Sequence, residues 1–195
     1  LYNIHFSALP KYKGMYTSAL PILNDETEGG VTFHRIDSGI DTGEIIAQKL
    51  FELEESDTSR DLYLKCIKYG TELVISQLED VLKNECDSTP QPIEHSTYYS
   101  KAAIDYSNLT INLNQTAYGI GRQIRAFTFR EYQLPVIYEH KIFDYYVTLT
   151  LSTSKPGSIV EENENWIKIA TIDYDMVLYF DKFAEILEAC KTGDL

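Results

Sequence analysis

The sequence predicts an α/β chain in two parts, an α/β unit followed by a small, mostly antiparallel β domain. Before residue 85, alternating strand-like runs accompany one long amphipathic helix. Beyond residue 97, short runs rich in Tyr, Ile, Val and Thr are separated by turn residues. The composition of the 195 residues, 44% hydrophobic and 24% charged, is that of a globular protein and excludes a disordered chain. We expect domains at 1–85 and 86–182, with a further helical element at 183–195.

The first part is expected to contain three strands and a loop that could close around a ligand. Strands are predicted at 1–6, 31–36 and 44–53, with a short helix within 15–24. Residues 28–30 indicate a turn, because two glycines follow Glu28. Residues 37–43 form a polar loop in which two glycines are available for positive φ.

The clearest helix is predicted over residues 59–83. Thr58 can cap its N-terminus, and Asp61, three residues later, can complete a capping box. An apolar stripe follows the helical period through Leu62 and Cys66. Such a helix must pack one face against a sheet or other helices.

Residues 84–97 contain two prolines and are predicted to be a linker. Beyond it, a helix is expected over 114–127. Strands are predicted at 134–138, 141–151, 158–162, 166–172 and 177–180. Because the strands are short and follow one another directly, we expect an antiparallel domain. A final helix is expected to begin at residue 183 and to stop at Gly193-Asp-Leu.

The net charge of −13 limits the partners of the chain. Residues 1–85 hold 8 basic and 15 acidic residues and the remainder 9 and 15, so neither part is basic. Binding of a nucleic acid polymer or an anionic membrane is therefore not expected, although a few arginines could serve a small anion. The three scattered cysteines, without an apolar span or secretory signal, favour reduced thiols in a cytoplasmic protein.

Candidate catalytic residues cluster in the first part: Asn3, His5, His34, Asp37 and Asp41. Asn3 and His5 are two apart on a predicted strand, so their side chains share a face. At the tip of a central parallel strand they would point into a ligand crevice. An amide can donate to a developing oxyanion, a histidine can move a proton and an aspartate can orient it. These are the groups needed for acyl transfer to an amine without a metal.

Two other functions, metal binding and aspartic-protease chemistry, fit these residues less well. A metal site is not favoured, since none of the usual His-x-His or His-Glu-x-x-His spacings occurs. The triplet Asp41-Thr-Gly43 is also found in aspartic proteases, but that chemistry requires two carboxylates that share a proton. Only one such triplet is present.

Three segments of the first part follow one another in a specific order: NIHFSALPKYKG at 3–14, GVTFH at 30–34 and DTGEIIAQ at 41–48. Together they resemble the formyltetrahydrofolate-dependent formyltransferases. The family pattern is N-x-H-x-S-x-L-P-x-[YF]-[RK]-G followed by G-V-T and D-T-G. The resemblance implies that the first part belongs to a Rossmann-like catalytic domain, of which this chain holds the C-terminal portion.

The resemblance also implies site residues and a co-substrate. Asn3, His5 and Asp41 match the residues of the family that act on the formyl group of N10-formyltetrahydrofolate. The loop 37–41 is similar to the folate-contacting loop of the family. On this basis His34, Asp37, Gly39 and Ile40 are expected to contact folate, and no metal is expected.

Within the family, residues 97–135 look like the sugar N-formyltransferases. A dTDP- or UDP-linked amino sugar used in O-antigen synthesis is therefore the expected substrate, and a homodimer is left open. The tail 183–195 resembles the start of an ankyrin repeat, an appendage of some sugar formyltransferases, in particular those similar to the enzyme acting on dTDP-3-amino-3,6-dideoxyglucose. Methionyl-tRNA formyltransferase is the alternative, disfavoured by charge. A non-catalytic interaction module that kept the same frame is a second alternative, disfavoured because Asn3, His5 and Asp41 are all present.

Aromatic and basic residues in this region could bind the nucleotide sugar. Ring faces for a nucleobase are offered by Tyr98, Tyr99, Phe129 and Tyr132. Arginines that could meet a diphosphate are Arg122, Arg125 and Arg130. We expect Tyr98, Arg125 and Tyr132 to contact substrate; the alternative is that these rings belong to the domain core and the arginines to the surface.

One further expectation concerns the edges of the strand predicted at 1–6. If it is central in a sheet, the strands that follow it can pair with one edge only, and the other edge requires a preceding segment of the family fold. We therefore expect an open edge at this strand. The chain alone is expected to be inactive and to aggregate through that edge.

Overall fold

Residues 1–192 are described by the computed structural model, and the chain forms two compact units that divide after Ser107. Each unit contains its own antiparallel sheet. Within the described range, no helix combines the length and the apolar character needed to cross a membrane.

The first unit is built on a three-stranded sheet. Its elements are β1 (Tyr2–His5), β2 (Lys13–Gly14), α1 (Leu20–Leu23), β3 (Glu28–Arg35), β4 (Ile45–Glu52), α2 (Ser59–Lys83) and β5 (Tyr98–Tyr99), followed by a 3-10 turn at Lys101–Ala103. The strand order is β1-β3-β4, and both neighbours of β3 run antiparallel to it.

β1 lies at one end of the strand order β1-β3-β4 and pairs antiparallel with β3. Its predicted central place among parallel strands is not tested by residues 1–192 and stays a prediction. The open edge is confirmed, since β1 has a strand partner on one side only within the described range.

The predicted turn at residues 28–30 is wrong, because these residues begin β3. Gly29 and Gly30 are buried there. A Cβ at Gly30 would lie 2.9 Å from the backbone nitrogen of Ala8 and 2.7 Å from its Cβ. The glycines thus permit close packing on a strand rather than a reversal of the chain.

The helix α2 has the predicted bounds and the predicted capping box. The Thr58 hydroxyl accepts from the Asp61 amide, and the Asp61 carboxylate accepts from the Thr58 amide at 3.0 Å. Leu62, Cys66 and Gly70 are buried against the sheet. The N-terminal half of the helix therefore anchors the sheet that carries the candidate catalytic residues.

Part of the predicted linker packs on the first unit. β5 pairs in parallel with β2, and Thr89 forms a bridge with Ile45. The border between the units consequently lies after Ser107, whereas the sequence placed it at residue 85.

The second unit consists of one helix on a five-stranded antiparallel sheet, in the order β6-β7-β10-β9-β8. Its elements are α3 (Ala117–Phe127), β6 (Val136–Ile137), β7 (His140–Leu151), β8 (Ile159–Glu162), β9 (Trp166–Ile169), β10 (Tyr174–Phe180) and α4 (Phe183–Thr192). The core lies between α3 and the sheet and includes Ile120, Ile124, Ile142, Met176 and Leu178. The mostly antiparallel domain is confirmed; the predicted helix stop at residues 193–195 lies outside the described residues.

Candidate functional site

Two neighbouring strands place three candidate residues on one face of the first sheet. In the antiparallel register, Asn3 lies opposite His34 and His5 lies opposite Thr32. Because side chains alternate along a strand, Asn3 and His5 point to the same side as their partners on β3. His5 and His34 are buried. Short-range strand geometry alone therefore brings an amide and two imidazoles together.

Asp41 is delivered to this face by the loop between β3 and β4. Its backbone has a φ of +54°, and its carboxylate oxygen Oδ2 accepts a hydrogen bond from the Gly14 amide at 2.8 Å. The expectation that glycines supply positive φ in this loop is wrong: the left-handed residue is Asp41. Gly39 and Gly43 instead allow neighbouring groups to approach the loop closely. A Cβ at Gly39 would overlap Thr42 Oγ1, and a Cβ at Gly43 would overlap the Arg35 carbonyl oxygen.

The four side chains form one polar cluster. Asn3 Nδ2 lies 3.2 Å from His34 Nε2 and 3.5 Å from Asp41 Oδ1. His5 Nδ1 lies 3.4 Å from Asp41 Oδ2. The structure therefore assembles Asn3, His5 and Asp41, and it adds His34 to the same group.

The hydrogen bonds of the histidine rings define where the protons lie. His5 Nε2 is 2.7 Å from the Tyr12 carbonyl oxygen, and His34 Nδ1 is 2.8 Å from the Arg35 carbonyl oxygen. A carbonyl can only accept, so each of these nitrogens carries the proton. The lone pair of neutral His34 then lies on Nε2 and accepts from Asn3, which orients the Asn3 amide.

The same reasoning leaves the lone pair of neutral His5 on Nδ1, beside Asp41. Burial lowers the pKa of His5 below its usual value of 6.5, and the nearby Asp41 carboxylate only partly opposes this effect. His5 is thus neutral at pH 7 and can accept a proton at Nδ1. The resulting imidazolium would lie next to a carboxylate that stabilises it.

The predicted folate contacts fall into two environments. His34 is buried within the cluster, whereas Asp37, Gly39 and Ile40 lie on the exposed loop, where 57% of the Ile40 surface is accessible. The Asp37 carboxylate accepts from Thr42 Oγ1 at 2.7 Å and from the Gly39 amide at 3.0 Å. These bonds lower the pKa of Asp37. Its carboxylate therefore stabilises the turn.

A residue of the predicted linker, Gln91, is hydrogen-bonded to the loop between β3 and β4. Gln91 Nε2 donates to the carbonyl oxygens of Asp41 and Gly43, each at 2.8 Å. Its Oε1 is buried and has no hydrogen-bond partner within the described residues. Gln91 cannot be predicted from the sequence, because a glutamine between prolines has no pattern that connects it to a loop so distant in the chain.

The three predicted substrate contacts do not share one unit. Tyr98 is exposed on β5 in the first unit. In the second unit, Arg125 is buried on α3 with Nε 3.2 Å from Tyr145 Oη, and Tyr132 is 82% exposed with its ring against Phe129. Arg125 is therefore held by the second unit itself, and Tyr132 is the more accessible of its two predicted contacts.

The other aromatic and basic candidates have partners inside the protein. The Tyr99 ring stacks on Tyr12 with centroids 5.6 Å apart. Arg122 lies over the Tyr118 ring, and Arg130 pairs with Asp181. Packing thus accounts for several side chains that the sequence offered as ligand contacts.

Two cavities lie in the first unit near the cluster. One of about 500 Å³ is lined by residues of the β3–β4 loop, including Asp37, Thr42 and Gly43. The other, of about 330 Å³, is lined by the loop that follows β1, including Ser7 and Tyr12. Among residues 1–192, no group of three or more histidines, cysteines and carboxylates could hold a metal ion. The cysteines Cys66, Cys86 and Cys190 are free thiols.

Comparison with known proteins covers both units. The family described as "Formyl transferase" matches residues 1–78, and "Formyl transferase, C-terminal domain" matches residues 103–182. Among solved structures, the sugar 3N-formyl transferase WlaRD, crystallised with dTDP and 5-N-formyl-THF, is 42% identical with a TM-score of 0.80. The alignment covers 92% of this chain and 65% of that one.

A second solved relative is the N-formyltransferase from Helicobacter canadensis, in complex with folinic acid and dTDP-3-aminofucose. It is 42% identical with a TM-score of 0.81, and the alignment covers 93% of this chain and 66% of that one. Curated relatives bear a different name, methionyl-tRNA formyltransferase. The protein from Fervidobacterium nodosum is 40% identical over 65% of this chain, and that from Legionella pneumophila is 32% identical over 88%.

The chain spans 39% and 54% of the length of these two curated relatives. Nevertheless, both the N-terminal and the C-terminal family descriptions match, in the order in which the two units follow each other. The solved relatives share the fold over more than nine tenths of this chain. The chain therefore belongs to the formyl transferase family.

Proposed function

We propose that the intact protein transfers a formyl group from N10-formyltetrahydrofolate to the amine of a nucleotide-linked amino sugar. The observation that carries the proposal is the cluster of Asn3, His5 and Asp41 in a chain 42% identical to two sugar-modifying formyltransferases. Those relatives were crystallised with a formylated folate or folinic acid and with dTDP or a dTDP-amino sugar. The folate supplies the formyl group when it is bound.

His5 is the proposed general base. Its Nδ1 lone pair can accept the proton that the attacking amine must lose, since Nε2 is committed to the Tyr12 carbonyl, and can pass it to the folate nitrogen from which the formyl group departs. Asp41, 3.4 Å from Nδ1, then stabilises the positive charge on the ring. The lowered pKa of His5 keeps the ring in the neutral, proton-accepting form at pH 7.

Asn3 is the proposed donor to the formyl oxygen. One N–H of its amide is held by His34 Nε2 at 3.2 Å, which fixes the plane of the amide. The other is held only loosely, because Asp41 Oδ1 lies 3.5 Å away. This second N–H can therefore donate to the negative charge that develops on the formyl oxygen during transfer.

The folate is proposed to lie along the exposed loop between β3 and β4. The cavity of about 500 Å³ beside this loop has the size of a typical small-molecule site, and the Ile40 side chain on the same loop is exposed. His34 would border the formyl end. Asp37 would act by holding the turn through Thr42 and the Gly39 amide.

Among the predicted substrate contacts, Tyr132 of the second unit is the one we propose for the nucleobase of the nucleotide sugar, because its ring is 82% exposed and can stack on a base. Contacts of the nucleotide sugar with Tyr98, which is exposed on the first unit, and with the buried Arg125 stay predictions. Tyr132→Ala is expected to weaken binding of dTDP, as measured by calorimetry. Unchanged affinity would remove Tyr132 from the proposed site.

Methionyl-tRNA is the second candidate acceptor, favoured by the names of the curated relatives. Against it stands the charge of the chain, −13 overall, since tRNA binding depends on lysines and arginines that neutralise phosphates.

Kinetics of variants of the intact protein test the proposed catalytic roles. Asn3→Ala and His5→Asn are each expected to lower kcat on the order of 10²–10³-fold, the usual cost of losing an oxyanion donor or a general base. Binding of the nucleotide sugar should change little, because neither side chain is expected to hold the nucleotide. His140→Asn, the same substitution on an exposed residue of the second unit, serves as the control. Near-wild-type rates in both active-site variants would contradict the proposal.

A further inference from the structure

The peptide group between Tyr12 and Lys13 is hydrogen-bonded at both ends. Its carbonyl oxygen lies 2.7 Å from His5 Nε2, and its N–H donates to the Thr97 carbonyl oxygen at 2.9 Å. A hydrogen-bonded chain thus runs from the His5 ring through this peptide group to Thr97. Donors and acceptors in such a chain polarise and orient one another.

Thr97 holds the same loop through two more bonds. Its hydroxyl oxygen Oγ1 accepts from the Tyr12 amide at 2.7 Å, and its own amide donates to the Pro10 carbonyl at 3.2 Å. Tyr12 has a φ of +57°, a backbone conformation that a bulky residue rarely adopts unless its surroundings impose it. Thr97 provides contacts on both sides of this strained residue.

The direction of the Tyr12 carbonyl decides which nitrogen of His5 carries the proton. Asp41, at 3.4 Å from Nδ1, would by itself favour a proton on Nδ1. The Tyr12 carbonyl favours a proton on Nε2, and its shorter, buried contact at 2.7 Å outweighs the longer one. With the proton on Nε2, the lone pair that accepts the substrate proton is on Nδ1.

We propose that Thr97 is a positioning residue that aims the Tyr12 carbonyl at His5 and thereby keeps neutral His5 in the Nε2-protonated form. This inference rests on the proposed function, in which His5 Nδ1 is the base. Thr97 lies 85 positions after Tyr12 in the chain, and it acts through its hydrogen bonds to the backbone around Tyr12.

Two substitutions at one position separate this role from general packing. Thr97→Val keeps the shape but removes the acceptor for the Tyr12 amide, whereas Thr97→Ser keeps the hydroxyl. Thr71→Val, at an exposed threonine on α2, is the matched control. In the intact protein, Thr97→Val should lower kcat on the order of tenfold with nearly unchanged KM, because the base is misplaced rather than removed. Thr97→Ser should restore most of the rate.

The nitrogen chemical shifts of the His5 ring give a readout independent of activity. Signals that disappear in His5→Asn identify His5 in ¹⁵N spectra of the intact protein at pH 8. We expect Nε2 to be protonated and Nδ1 unprotonated in the wild type and in Thr97→Ser, and a mixture of both tautomers in Thr97→Val.

Each outcome decides the proposal. A wild-type His5 protonated at Nδ1 overturns it, even if Thr97→Val does not fold. So does a Thr97→Val protein that is slower but retains the wild-type tautomer. If instead His5→Asn keeps full activity while the tautomer shifts as expected in Thr97→Val, the proposed function fails and the positioning role of Thr97 stands.

Discussion

At the scale of single residues, one loop controls the chemistry of both members of the His5–Asp41 pair. The Tyr12 carbonyl binds His5 Nε2, and the Gly14 amide binds Asp41 Oδ2 at 2.8 Å. The first contact places the lone pair of neutral His5 on Nδ1. The second holds the Asp41 carboxylate beside this nitrogen. Backbone groups two residues apart therefore orient both side chains.

A pH profile tests this arrangement. Because burial lowers the pKa of His5, the acidic limb of kcat should fall below pH 6.5, where an exposed histidine would already be half protonated. Asp41→Asn should move the limb to still lower pH and reduce kcat, since the carboxylate raises the pKa of His5. An acidic limb above pH 6.5 that disappears in His5→Asn would contradict the assignment.

The same lowered pKa has a consequence for stability. The folded state disfavours protonated His5 relative to the unfolded chain, so its contribution is fully present above pH 6.5. It is lost as the pH falls through the lowered pKa of the folded state. Urea unfolding between pH 7 and pH 5 should therefore lose less stability in His5→Asn than in the wild type.

The sequence predicts residues of the cluster but not the groups that hold them. Asn3, His5 and Asp41 lie in a recognisable motif, and strand periodicity already places the first two on one face. Thr97 and Gln91 act across the fold on residues about 50 or more positions earlier. No local sequence pattern indicates such contacts, because the predicted linker 84–97 meets the loops that contain Tyr12 and Asp41 only in the folded chain.

At the scale of elements, α2 shows how local sequence defines a helix while the tertiary fold decides what it covers. Its bounds and capping box agree with the prediction, since both depend on residues within one turn. The predicted apolar face is only partly buried: Leu62 and Cys66 are buried, whereas Leu78, in the C-terminal half of the same face, is 47% exposed. Hydrophobic periodicity predicts an amphipathic helix but does not identify the surface that packs against it.

Removing the cap of α2 provides a test at this scale. Thr58→Ala should lower the free energy of unfolding by about 1 kcal/mol, because it leaves an N-terminal amide without its acceptor. Thr71→Ala, in the middle of the same helix, should be neutral or slightly stabilising, since its exposed hydroxyl bonds only the preceding turn and Ala has the higher helix propensity. Equal losses in the two variants would show that the capping box contributes nothing specific.

The wrong turn at residues 28–30 also belongs to this scale. Consecutive glycines usually favour a reversal, but here Gly30 allows the close approach of Ala8 and Gly29 that of the Phe51 ring. A pair of glycines shows that small residues are required at these positions. It does not indicate whether a turn or close packing with a neighbouring segment requires them. The loop 37–43 shows the same ambiguity. The sequence predicts positive φ at its glycines, whereas the structure has positive φ at Asp41.

At the scale of the whole molecule, the negative net charge of the chain favours one of the two proposed acceptors over the other. Both units belong to the formyl transferase family, and the names of relatives divide between sugar and tRNA substrates. Residues 86–195 contain 9 basic and 15 acidic residues, so the part that includes the second unit would repel a polyanion. A nucleoside diphosphate sugar carries far less charge and needs only a few local donors.

The measurement that tests the central claim most directly is competition between acceptors in the intact protein. N10-formyltetrahydrofolate would be supplied with equal concentrations of a dTDP-linked 3-amino sugar and methionyl-tRNA, and both products would be quantified by mass spectrometry. We expect the formamido sugar nucleotide to form, and to be lost in His5→Asn, with methionyl-tRNA left unmodified. Formylated methionyl-tRNA as the main product, with a rate that falls steeply as salt is added, would contradict the account.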